Sequence, residues 1–193
     1  MHIGLLTIES PLNRTHAGGL GSYIRAIMHA FVQRGHRVTV IANDHKKETV
    51  YDHGGALRII HIRLPNLHWY IHKTPLLGEP FSLPARTLEW SSALYHVARA
   101  AFKKDSVDII ETTEIGSLFL DQMKLAPWIV RLHGNEYIFR KYSNLALHWG
   151  LTLDNVLERR VLKKANAVTS PSRFQAVEIA NEMQWPVERI HVI

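Results

Sequence analysis

The chain has 193 residues, and 23 Lys plus Arg against 17 Asp plus Glu give it a formal charge of +6. Hydrophobic residues at 46% and charged residues at 21% are the mixture of a globular domain, which excludes a disordered tail, a collagen-like repeat and a low-complexity scaffold. There is no cysteine, so disulfide frameworks, cysteine-ligated zinc and thiol nucleophiles are excluded too.

Ile3 to Ile8 reads as a buried opening strand; the run has no basic start and stops at Glu9, unlike a signal peptide. Helix-period apolar residues follow at Ile24, Ile27, Met28 and Phe31, ended by Arg34-Gly35. Arg37 to Ala42 is a second strand and Leu57 to Ile62 a third. Residues 64–84, with four prolines and the aromatic pair Trp69-Tyr70, read as a long loop or partly ordered excursion. A helix is expected over 85–103, a strand over 107–111, a helix near 115–124 and a strand over 128–132. The rest is a helix ending at Glu158 to Lys164, a strand at 167–170, a helix over 172–183 and a last strand over 189–193.

Alternation of apolar strands with amphipathic helices predicts an α/β fold: a Rossmann-like, doubly wound, mainly parallel sheet with helices on both faces. Such sheets bind ligands beyond the carboxyl ends of their strands. That rule singles out Gly18, Gly19 and Leu20 before the first helix, where helix-opening amides face an anion and glycine lets a ligand approach. The same glycines serve a plain helix start. G-x-G-x-x-G is not met, because position 24 is Ile24, and no Gly-Lys-Ser/Thr follows for a P-loop. His133 with Gly134 stands at the end of an apolar strand, the one histidine of 13 in that context. Histidine spacings suit no metal, so no metal is expected. Arg14, Glu111, Glu114 and Asn135 are added solely because they fall at the expected sheet edge. Arg159, Arg160, Lys163 and Lys164 share a helix with Asp154 and Glu158, which reads as a solvated face.

Taken in order, Gly18-Gly19-Leu20-Gly21, Gly35-His36-Arg37-Val38, His133-Gly134 and Glu158 through Ser172 resemble the N-terminal domain of a glycosyltransferase of family 4, a retaining GT-B group. The likeness runs from Met1 to Ile193. It implies an acceptor-side domain facing a donor-binding domain that would lie beyond Ile193, so the 193 residues alone are expected to be inactive. It also implies a nucleotide-sugar donor and a glycan, lipid-linked or small-molecule acceptor as partners, with no cofactor. Gly18, Gly19 and Leu20 would meet the donor diphosphate, and His133 would stand near the transferred sugar as the catalytic-site group. Arg14, Glu111, Glu114, Gly134 and Asn135 would belong to the acceptor side. A cytoplasmic location follows from the likeness, with peripheral attachment to an anionic membrane surface compatible with +6. Nucleic acid is not expected, for want of a recognition motif. Two other readings stay open: a nucleotide- or NAD-binding Rossmann enzyme, prompted by Asp44 after the second strand, and a basic membrane-surface module.

Overall fold

The computed structural model describes residues 1–12, 18–44, 48–75, 78–134, 136–143 and 149–193. Eight strands form one sheet: β1 (His2–Thr7), β2 (Arg37–Asn43), β3 (Thr49–Asp52), β4 (Leu57–Ile62), β5 (Ile109–Thr113), β6 (Trp128–Arg131), β7 (Ala167–Ser170) and β8 (Ile190–Val192). Their order is β3-β4-β2-β1-β5-β6-β7-β8. Every pairing is parallel except that of β3 with β4. The expected doubly wound, mainly parallel fold is the observed one.

Leu5 and Leu6 show why the strands are apolar at successive positions. Leu5 packs with Ile24, Met28, Val38 and Val40, under helix α1 (Gly19–Gln33). Leu6 packs on the other face with Leu94, Ala98, Phe102 and Ile110, beneath helix α3 (Gly78–Lys104). Each such buried Leu or Ile contributes about 1.5–3 kcal/mol relative to exposure. Helix α1 ends where the sequence indicates: Gly35, at φ +80°, reverses the chain so that its N–H meets the Val32 carbonyl at 2.9 Å.

Four expectations are corrected. Residues 64–84 are not a loop: helix α2 (Leu67–His72) occupies part of them and α3 begins at Gly78. Pro84 disguises that start, since a proline inside a helix removes one hydrogen bond. No helix forms near 115–124 apart from a single 3₁₀ turn at Leu120–Gln122. Gly116 (φ +87°) and Lys124 (φ +49°) break the helical path, while Leu118, Leu120 and Met123 still bury themselves. Strand β3 went unread because its four residues, mostly exposed, give no period to detect. Finally, Asp154 and Glu158 on helix α5 (Trp149–Lys164) are buried, each 1% exposed, so they do not share the solvated face of Arg160, Lys163 and Lys164. Helices α4 (Glu136–Tyr142) and α6 (Arg173–Met183) complete the fold, Ser172 capping α6 through the Gln175 N–H at 3.2 Å.

Candidate functional site

The sheet's winding reverses between β1 and β5, one pairing toward β2 and the other toward β6. A cavity of about 420 Å³ opens there, at the carboxyl ends of the strands. Ile8 and Glu9 line it after β1, Gly19 and Leu20 at the opening of α1, Thr113 to Ile115 at and after the end of β5, and His133 with Gly134 after β6.

The glycines behave as two different residues. A side chain at Gly18 would put its Cβ 2.9 Å from a Glu9 carboxylate oxygen, so Gly18 makes room for Glu9. A Cβ at Gly19 would meet nothing within 4 Å. Neither the packing nor the turn accounts for that glycine. Glu9 accepts the Gly21 N–H at 2.8 Å and so caps α1 with a negative charge, as the helix dipole favours. The first intrahelical bond runs from the Ser22 N–H to the Gly18 carbonyl, at 3.2 Å, which leaves the Gly19 and Leu20 amides free of the helix ladder.

On the opposite wall, Glu114 holds the turn after β6. Its buried carboxylate accepts the Gly134 N–H at 3.0 Å and the His133 N–H at 3.2 Å. Burial raises its pKa, and these backbone bonds only partly oppose the rise. The His133 ring leans on Tyr23, with ring centroids 5.0 Å apart. Burial, aided by the positive Arg131, lowers the His133 pKa to about 4, so its imidazole is neutral at physiological pH. Its Nε2 is enclosed and has no hydrogen-bond partner among the described residues. A neutral imidazole with a free nitrogen can donate to or accept from a ligand hydroxyl.

Glu111 lies within β5, not at its end, and does not line the cavity. It accepts the Tyr23 hydroxyl at 2.6 Å and stands 3.5 Å from the Arg131 Nε, while the Arg131 guanidinium covers the Tyr23 ring at 4.4 Å. Burial first and the Glu111 charge second hold the Tyr23 phenol firmly protonated. This group supports His133 from beneath. Behind Glu114 lies a second layer of carboxyls. Asp154 accepts the Thr87 hydroxyl at 2.5 Å and stands 3.9 Å from Arg86. Burial, with Glu114 and Asp154 nearby, pushes Glu158 well above the ordinary carboxyl range.

Gly19, Leu20, Glu114, His133 and Gly134 therefore meet at one cavity, which Gly18 does not line. Arg14 and Asn135 fall outside the described residues. Sequence reading assigned no role to Glu9, Tyr23, Thr113 or Arg131. Two of these had a signal: Tyr23 is one helical turn after Gly19, and Arg131 is two strand residues before His133.

The depressed His133 pKa has a sign that can be checked. Unfolded, the imidazole takes up a proton below about pH 6.5; folded, it resists until about 4. Stability from this group is therefore lost as pH falls from 6.5 toward 4. Urea denaturation at pH 7 and pH 4.5 should show a smaller acid loss in His133→Gln than in the parent. Equal losses would show that His133 is not held neutral by the fold.

Residues 18–193 match the family model described as "Glycosyl transferase 4-like domain". Comparison with curated protein sequences returns no match. Among solved structures, the α,α-trehalose-phosphate synthase (UDP-forming) of Burkholderia vietnamiensis superposes with TM-score 0.61 at 10% identity, covering 95% of this chain and 42% of its own. The α,α-trehalose 6-phosphate synthase of Burkholderia multivorans gives 0.59 at 11% identity, with the same 95% and 42% coverage. CalG4, the calicheamicin glycosyltransferase, gives 0.54 at 12% identity over 98% of this chain and 51% of that one. At such identities the likeness shows a shared fold, and this chain spans about half or less of each structure's length.

Proposed function

Because the chain belongs to the glycosyl transferase 4-like domain family, we propose that it forms the acceptor-side half of a retaining glycosyltransferase, passing a sugar from a nucleotide-sugar donor to a glycan, lipid-linked or small-molecule acceptor. The observation that carries this is the convergence on one cavity of the Gly19 and Leu20 amides, which lie outside the helix ladder, and a neutral His133 whose Nε2 has no partner among the described residues.

In this reading the Gly19 and Leu20 amides face the donor diphosphate, while Glu9 keeps the Gly21 amide. Charge developing on the departing diphosphate is stabilised by donors fixed before the ligand arrives, which costs no reorganisation during reaction. His133, on the cavity wall, orients a sugar or acceptor hydroxyl, and the Glu114 carboxyl fixes the backbone on which it stands. Glu114 and Gly134 border the acceptor. No residue here is assigned to a metal: among the described residues no group of three His, Asp or Glu could hold one. The trehalose-phosphate synthases, of which this chain covers 42%, are more than twice as long, and in this reading a second domain closes the cavity and supplies most donor contacts. Residues 1–193 alone are accordingly proposed to lack turnover.

Gly19 offers a clean test, since its Cβ would meet nothing in the free protein. Gly19→Ala should leave the melting temperature unchanged and weaken nucleotide-sugar binding by the two-domain protein about tenfold, roughly 1.4 kcal/mol. Calorimetric titration with UDP-, GDP- and ADP-sugars reads this. Unaltered affinity in the variant, or no binding of any donor by the parent, would overturn the donor-site reading. Sugar transfer by residues 1–193 alone would overturn the claim of inactivity.

A further inference from the structure

At the opposite end of the same strands lies a second cavity, of about 370 Å³. Arg37 and Thr39 of β2, Arg58 of β4, Tyr51 of β3 and Lys104 at the end of α3 line it. From Arg58 the strand β4 runs on to Ile62 at the carboxyl edge of the sheet, roughly 13 Å at ~3.3 Å per residue. It is therefore remote from the cavity at His133, and nothing in the proposed transfer uses it.

Three cations face this space, but one is already neutralised: Arg37 pairs with Asp105 at 2.9 Å. Arg58 and Lys104 have no ion-pair partner among the described residues. The Arg58 guanidinium lies over the Tyr51 ring, 5.9 Å from its centre and opposite it in the β3–β4 register. Its Nε is shielded from solvent and makes no hydrogen bond among the described residues. A guanidinium with no ion-pair partner among the described residues leaves its charge to be met by an anion in the cavity.

We propose that this cleft binds a phosphate monoester, with the phosphate between Arg58 and Lys104 and its organic part against Tyr51. The charge matches: two unpaired cations meet a group carrying about −1.5 to −2 near neutral pH. The chemistry matches as well, since a planar guanidinium presents paired donors to phosphate oxygens and an ammonium adds a point charge. At about 370 Å³ the space exceeds what a bare phosphate fills, and the Tyr51 side, 63% exposed, offers an aromatic surface to a ring. The proposal rests on none of the transferase reading.

Phenyl phosphate is the probe, titrated into the 193-residue chain and followed by calorimetry and by amide chemical shifts. Saturable binding is expected, with shifts at Thr39, Tyr51 and Gly55 and none at Gly19 or His133. Arg58→Gln should weaken it at least tenfold. Lys104→Gln, at an exposed helix end where folding is not at stake, should weaken it about as much. Inorganic phosphate should compete, but bind more weakly for lack of a ring. Vesicles containing phosphatidic acid separate a soluble ester from a lipid headgroup: sedimentation with vesicles without phenyl phosphate binding would overturn the proposal. So would equal affinity in the parent and both variants.

Discussion

Replacing Gly150 by alanine should destabilise the protein by ~3 kcal/mol or more, the upper range of overpacking costs, and lower its melting temperature by roughly 6–12 °C. The added Cβ would lie 1.7 Å from the Pro80 carbonyl oxygen and 2.4 Å from its carbonyl carbon. Both are backbone atoms, so no rotamer change relieves the overlap; α5 must move off the start of α3. That movement also disturbs the Thr87–Asp154 bond, which joins the same two helices. Thermal and urea denaturation of Gly150→Ala beside Gly19→Ala make the comparison, because the second substitution enters open space. A Gly150 variant within about 0.5 kcal/mol of the parent, the range of an ordinary surface change, would show that the helices do not meet this closely.

The second large effect is expected at Glu114. In Glu114→Ala two partly buried backbone N–H groups, of His133 and Gly134, lose their acceptor, and a cavity opens where the carboxyl stood. An unsatisfied donor costs about 1–3 kcal/mol, so the combined loss should be ~3 kcal/mol. Glu114→Gln keeps one oxygen to accept those bonds and carries no charge to desolvate; about 1 kcal/mol or less is expected. It has a further effect on Glu158, whose carboxyl is raised in part by the Glu114 charge. Removing that charge should bring the Glu158 pKa down, which carboxyl-carbon NMR titration would detect. If alanine and glutamine cost the same, the carboxyl is not what holds the turn after β6.

The parallel sheet was legible because its signal is repeated: β1, β2 and β6 carry nearly continuous apolar runs, as burial on both faces requires, and the other parallel strands carry shorter ones. What escaped was local. Pro84 hid the first turns of α3, and Thr49 to Asp52 were too short and exposed to show alternation. In the site, Gly19 and His133 could be found because each follows a strand, which is a statement about chain order. Glu9 had no such signal, and Tyr23 and Arg131 offered only their spacing from Gly19 and His133, since the partners of the three lie 12, 88 and 20 residues away and only the fold brings them together. Asp154 and Glu158 show the converse failure. Charge on a helix reads as solvent-facing, yet α5 turns its acidic pair inward, where Thr87 and Arg86 meet Asp154.

The position of β1 has a consequence for how the chain is made. It occupies the middle of the sheet, but its two neighbours arrive at very different times. Pairing with β2 joins Ile3 to Val38, whereas pairing with β5 joins Ile3 to Ile109. At a synthesis rate of about 5–20 residues per second, β1 leaves the ribosome several seconds before its second partner exists. Closing a loop of that span is also the slow class of folding event. Until then the nascent protein carries a nearly all-apolar strand with one open edge, the surface that chaperones cover and that aggregation exploits.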